Sequence, residues 1–253
     1  MISKEINMGN DKTKPDVIIT WPSGCDYPLC RWQLQQFREY FNKVIIATYT
    51  YGKPDFREFL KNVMKKTEFV DAGKDSDTWR ERCVATALEK STSDWVLFTE
   101  QDFFWKGDHF LEAVMKAKEK YNVIGITQGT RLHPCFLLVK KDLLEQTRKE
   151  FGVQGDGKDH FYGVSQELKE KGNFVSLDQL GLFEGVDWYH FSSMTWNHYR
   201  IKDGDITEFH EPLEYLVYNN MSRTKRVPQD ARWLAFTHYA DLMLTKFGRF
   251  LNQ

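Results

Sequence analysis

The stretch Trp95-Val96-Leu97-Phe98-Thr99-Glu100-Gln101-Asp102-Phe103-Phe104-Trp105 decides the fold. Its opening residues are apolar or β-branched with no polar alternation, the mark of a strand covered on both faces. Two carboxylates, Glu100 and Asp102, follow at i and i+2. Extended residues two apart point the same way, so both acids can face one cleft. Such a pair suits a hard divalent cation, manganese or magnesium, which takes oxygen ligands and keeps open positions for phosphates. The plain alternative is a surface turn with two solvated acids. Against it, Phe103, Phe104 and Trp105 stand directly behind and are expected to wall a pocket.

Outward from that stretch the chain alternates. Upstream, strands are expected over 16–21 (DVIITW), 43–49 (KVIIATY) and 68–72. Between them helices are expected over 28–41, 55–65 and 77–90, with Pro28 suited to a first turn and Asp55 and Asp77 to N-caps. Downstream come a helix over 108–121, strands over 123–127 and 135–139 separated by 128–134, and helices over 141–151 and 159–171. Residues 174–182 hold at least one more strand, and 211–221 and 229–251 read as two helices joined by a basic turn. Apolar strands alternating with helices predict an α/β fold, an open, mostly parallel sheet with helices on both faces and a C-terminal helical segment. In such sheets ligands bind at the carboxyl ends of strands. The expected organisation is a polar lead-in over 1–15, a catalytic domain over 16–205 divided near 105, and a helical extension over 206–253.

Composition sets the outer limits. A net charge of −1 over 253 residues argues against coating nucleic acid by bulk charge, while leaving room for a local basic patch. No apolar run approaches the ~20 residues of a membrane span, and residues 1–14 lack the apolar stretch of a signal peptide. Cys25, Cys30, Cys83 and Cys135 show no paired zinc spacing and are too few for a disulfide scaffold, which points to the cytoplasm. Nineteen Phe, eleven Tyr and eight Trp leave rings for stacking as well as packing.

The order of strands and helices over 16–105, closed by the acidic turn, resembles the nucleotide-sugar half of GT-A glycosyltransferases, particularly the family-two group. The helix holding Arg82-Cys83-Val84-Ala85-Thr86-Ala87-Leu88-Glu89-Lys90 is similar to that family's arginine-bearing helix. The resemblance implies a nucleotide-sugar donor, here a UDP-sugar, held through a divalent metal by Asp102 and, less closely matched, Glu100, since the motif is Glu-Gln-Asp rather than Asp-x-Asp. It places Thr20 and Trp21 against the nucleoside. The second strand ends in Ala47-Thr48-Tyr49-Thr50, without the acid the family often carries there, so Tyr49 or Tyr51 becomes a candidate for base stacking. Arginine grips phosphate as a bidentate fork. Arg80 and Arg82 are therefore diphosphate candidates, although Arg80 equally suits an exposed helix face.

Inverting members of the family place a carboxylate base beyond the acceptor-facing strand at the start of a helix, a position matched by Asp159 or Asp156. Asp159 also suits the N-cap of that helix. Many members add a late histidine to the metal, which makes His190 and then His198 candidates. Trp188 and Trp196 are candidate sugar-stacking faces, and Arg131 and His133 candidate pocket residues. Arg223, Lys225, Arg226 and Arg232 beside Trp233 could track a phosphate backbone or form a solvated turn. The acceptor is thus expected to be a glycan or, as in a phage-type enzyme, a hydroxymethylated pyrimidine in DNA. Two other classes stand behind this one. A nucleotidyltransferase normally opens with a glycine-rich basic loop, whereas this chain has Pro22-Ser23-Gly24-Cys25-Asp26. A non-catalytic nucleotide-sugar-binding module gives no reason to retain Asp102.

Overall fold

The computed structural model describes residues 12–20, 40–48, 67–71, 79–100, 103–152 and 161–190. The strands are β1 (Asp16–Thr20), β2 (Lys43–Thr48), β3 (Thr67–Asp71), β4 (Trp95–Glu100), β5 (Phe103–Trp105), β6 (Val123–Gln128), β7 (Arg131–Lys140), β8 (Phe174–Ser176) and β9 (Trp188–His190). The helices are α1 (Trp79–Lys90), α2 (Gly107–Ala117), α3 (Lys141–Glu145) and α4 (Tyr162–Lys171). Seven strands make one sheet in the order β3-β2-β1-β4-β7-β6-β8, and β5 pairs with β9 in a separate ribbon. Within the seven-stranded sheet, β7 alone of the described strands runs against its neighbours, and the β5–β9 pair is antiparallel. The expected α/β architecture with a mostly parallel sheet is therefore present, and described residues from both sides of position 105 share that sheet. No described helix is long and apolar enough to cross a membrane.

Strand register is pinned at the amino end by one buried carboxylate. Asp16 is fully buried. It accepts hydrogen bonds from the Thr92 and Ser93 backbone N–H groups at 2.6 and 3.0 Å, the Ser91 hydroxyl at 2.9 Å and the Asn42 amide at 2.8 Å. Its donors come from the turn before β4 and the residue before β2, so one side chain aligns three strands. That alignment sets Thr20 beside Glu100 and Ala47 at the opposite, carboxyl end.

Alternation along β4 divides the core. Val96 and Phe98 join Ile18, Ile45, Leu137 and Val139 under α1 and α4. Leu97 and Thr99 turn to the other face. There Phe103, Phe110, Phe136 and Trp188 meet, with Phe103 lying 5.1–6.2 Å from the other three ring centroids. Helix α2 feeds that layer with Phe110, Leu111, Val114 and Ala117, the i, i+3, i+4 stripe of an amphipathic helix. Phe103, Phe104 and Trp105 are at most 2% exposed. These rings are core, not walls of a pocket as expected, because β5 is paired with β9 and packs its rings on Phe110, Phe136 and Trp188.

Four boundaries moved, each for a physical reason. The strand expected to start at Cys135 starts at Arg131, since Gly129 at φ 59 closes a two-residue turn with Thr130. Pro134 reads as a strand breaker, yet it falls in a bulge. Gly125 pairs with Leu137 and Ile126 with His133, so Pro134, Cys135 and Phe136 have no partner on β6. The helix expected over 141–151 ends at Glu145, and Lys149 at φ 58 lies in a conformation foreign to a right-handed helix. The helix expected from 108 to 121 stops at Ala117 in a turn. The helix expected from Asp159 begins at Tyr162, with Phe161 as its N-cap at φ 63. A bulky residue there costs about 1–3 kcal/mol. Full burial of the Phe161 ring, 5.2 Å from Phe98 and 5.1 Å from Phe151, offsets it. The N-cap reading of Asp159 is thereby corrected.

Candidate functional site

The carboxyl end of β4 is where the strand order reverses. From β1 the chain proceeds outward to β2 and β3, and then returns on the other side as β4. Open α/β sheets bind ligands at such a switch point. Glu100 ends β4 there, with Thr20 as its cross-strand neighbour on β1. Thr20 is 6% exposed.

The Glu100 carboxylate is held from the ribbon. His190 pairs with Phe103 across β5 and β9, and its Nε2 lies 3.2 Å from Glu100 Oε2. The two side chains are 14% and 19% exposed, dry enough to strengthen their interaction and open enough to meet a ligand. The ribbon itself is braced through Asp187. It accepts from the Phe183 backbone N–H at 2.7 Å and lies 2.9 Å from His109 Nε2, while its carbonyl takes the Lys106 N–H at 2.7 Å.

Strand β7 supplies the third side of the site through its bulge. Bulges re-aim side chains beside functional sites, and this one presents His133 and Cys135. The Thr99 hydroxyl donates to the Cys135 carbonyl at 2.8 Å, and the Cys135 N–H donates to His133 Nδ1 at 3.1 Å. Gly125 makes the bulge possible, because a Cβ there would stand 2.9 Å from the Phe136 carbonyl oxygen. His133 and His190 meet edge to face with centroids 5.2 Å apart. One ligand atom each from His133, Cys135 and His190 lies within 4.8 Å of the other two.

Of the residues singled out in the sequence, the fold brings together Thr20, Glu100, His133 and His190. Arg82 is exposed in the first turn of α1, and Arg80 is placed there by its backbone. Arg131 sits at the tip of the β6–β7 hairpin, its guanidinium donating to Gln128. Trp188 is 7% exposed, its indole N–H donates to the Leu182 carbonyl at 3.2 Å, and its ring packs on Phe103. Its faces therefore serve the core rather than a sugar. Trp21, Tyr49, Asp102, Asp156, Asp159, Trp196, His198, Arg223 and Arg226 lie outside the described residues, as do Lys225, Arg232 and Trp233. Cys135 was missed. The signal available was the His133-Pro134-Cys135 spacing, which carries one cysteine and so lacks the paired-cysteine pattern of a zinc motif.

No protein-family model and no curated sequence matches the chain. Among solved structures it is similar to a mannosyltransferase from Pyrobaculum calidifontis, determined with GDP-Man and Mn2+. Identity is 14%, covering 96% of this chain and 75% of that one, with a TM-score of 0.50. Residues 1–349 of TarS from S. aureus align at 12% identity, covering 94% of this chain and 88% of that one, with a TM-score of 0.48. A 4-diphosphocytidyl-2C-methyl-D-erythritol synthase from Anaerococcus prevotii aligns at 14%, covering 66% and 89%, with a TM-score of 0.46. The chain has the GT-A-like fold of nucleotide-diphospho-sugar transferases.

Proposed function

We propose that this chain is a metal-dependent, inverting glycosyltransferase of the cytoplasm, which moves a sugar from a UDP-sugar to an acceptor hydroxyl. The observation that carries the reading is Glu100 at the switch point, beside Thr20 and held by His190. The resemblance in element order supports it, as does the fold shared with a mannosyltransferase determined with a sugar nucleotide and manganese.

The donor set fits a divalent cation. Glu100 offers carboxylate oxygens at the carboxyl end of β4, oriented by His190, and Asp102 stands two residues on in sequence. When bound, such a cation neutralises the charge that develops on a departing diphosphate. Glu100 and Asp102 would hold it, Thr20 would border the nucleoside, and Arg82 would reach the phosphates. Asp159, with Asp156 as its alternative, takes the proton of the acceptor hydroxyl. The acceptor oxygen bonds to the anomeric carbon as the bond from that carbon to the diphosphate oxygen breaks. The electron pair leaves with the nucleoside diphosphate, so the step balances without a further reactant. Residues 16–205 are proposed as the catalytic domain and 206–253 as an extension. The acceptor belongs to the glycan class in this reading, with hydroxymethylated DNA as the tested alternative.

The deciding assay is release of nucleoside diphosphate from a panel of nucleotide-sugars. Release is expected with manganese or magnesium, to stop in excess chelator, and to vanish in Asp102→Asn, since an amide lacks the charge that holds the ion. Pyrophosphate release from a nucleoside triphosphate would instead make the chain a nucleotidyltransferase. Full turnover in excess chelator would remove the metal from the mechanism.

A further inference from the structure

We propose that His133, Cys135 and His190 form a second cation site of the zinc class, which pins the β5–β9 ribbon to the main sheet. It shares His190 and its contact with Glu100 with the transferase reading, but it does not depend on that reading. The donors are two imidazole nitrogens and a sulfur, each within 4.8 Å of the others. A tetrahedral centre with nitrogen at about 2.0–2.1 Å and sulfur at about 2.3 Å sets neighbouring ligands roughly 3.3–3.6 Å apart. Closing onto an ion therefore takes at most about 1.5 Å of side-chain movement. Thiolate and imidazole together favour a borderline transition metal over magnesium or calcium.

Two observations beyond the cluster point to a cation. The first is Glu100, 3.2 Å from His190 Nε2. Histidines that ligate zinc donate their other ring N–H to a carboxylate, which fixes the tautomer and raises ligand basicity. In the tautomer whose Nε2–H donates to Glu100, the lone pair of His190 sits on Nδ1. The second is the bulge. It takes Cys135 off the β6 ladder while the Thr99 hydroxyl holds its carbonyl, leaving Cys135 1% exposed with its sulfur within 4.8 Å of a ring nitrogen of each histidine. His133 already has its Nδ1 lone pair directed to the Cys135 N–H. The same lone pair serves a cation once it releases that donor.

The assignment divides labour along one edge. His190 serves the ribbon metal through Nδ1 and steadies Glu100 through Nε2–H, so the donor cation is left to the carboxylates. Because β7 and β9 belong to different sheets, the ion cross-links elements that among the described strands share no ladder.

The test uses the full chain, reduced and stripped by chelator, titrated with cobalt(II) as a spectroscopic substitute for zinc. One equivalent is expected to give a thiolate-to-cobalt charge-transfer band and the intense visible bands of a tetrahedral centre, both erased by zinc. Cys135→Ser is expected to lose the charge-transfer band. Glu100→Gln is expected to weaken cobalt binding by about 10–100-fold. A folded, reduced wild-type chain that shows only weak octahedral bands overturns the proposal without need of any variant. So does a charge-transfer band that survives Cys135→Ser. Nucleotide-sugar hydrolysis is measured on the same preparation with manganese. Hydrolysis without the thiolate band sinks this site alone, and the band without hydrolysis sinks the transferase reading alone.

Discussion

Asp16 and Glu100 sit at opposite ends of the β1–β4 pair and do opposite work. Asp16 is sealed by five donors from two other segments, so its truncation strands buried N–H and O–H groups at about 1–3 kcal/mol each. Asp16→Ala is expected to lower stability by about 3–5 kcal/mol, read as a fall in urea midpoint, and a change below ~1 kcal/mol would show that water replaces the carboxylate. Glu100 is part-exposed, so Glu100→Gln should leave the midpoint of the metal-stripped chain nearly unchanged while weakening metal-dependent donor hydrolysis. For Asp159 the Phe161 N-cap separates two roles the sequence left joined. Asp159→Asn is expected to reduce kcat about 10²–10⁴-fold with donor KM unchanged, because a base meets the acceptor proton only in the transition state. The same signature in Asp156→Asn, with Asp159→Asn silent, would move the base to Asp156.

Among the elements, β7 is the one that turns a sheet into a site. Its lower half pairs regularly with β4 and β6, and its upper half carries the bulge that presents His133 and Cys135. Gly125 is the hinge of that arrangement. Gly125→Ala pushes a Cβ to 2.9 Å from the Phe136 carbonyl, a rigid backbone atom. Relief requires β6 and β7 to separate, at about 1–3 kcal/mol by analogy with overpacked cores. Thermal denaturation should show that loss together with weaker cobalt binding, since the bulge also aims Cys135. Gly107, at φ 67, plays a different part, letting the chain turn from β5 directly into α2.

For the whole molecule, charge bears on the acceptor. A net charge of −1 gives no bulk attraction for a polyanion, so transfer to a neutral glycan should be nearly independent of salt. Transfer to hydroxymethylated DNA, measured beside it at two salt concentrations, would fall with a log–log slope of about −0.9 per neutralised phosphate. A DNA product with that steep slope would replace the glycan reading and give Arg223, Arg226 and their basic neighbours a role.

The sequence by itself determined the α/β alternation, the both-faces burial of the strands and the carboxylate that closes β4. These are written in local apolar periodicity and turn chemistry, which act over a few residues. Glu100 and His190 could be picked out singly because their residue types carry the chemistry, 90 positions apart though they are. Only the tertiary structure decided that they touch. It also took Trp188, Phe103, Phe104 and Trp105 for the core, because a ring is equally suited to stacking on a sugar or on other rings, and the β5–β9 pairing chose the latter. Cys135 joined two histidines for the same kind of reason. Its place depends on a three-residue bulge allowed by a glycine on the neighbouring strand and fixed by a threonine hydroxyl on the other, and no short window of sequence contains all three.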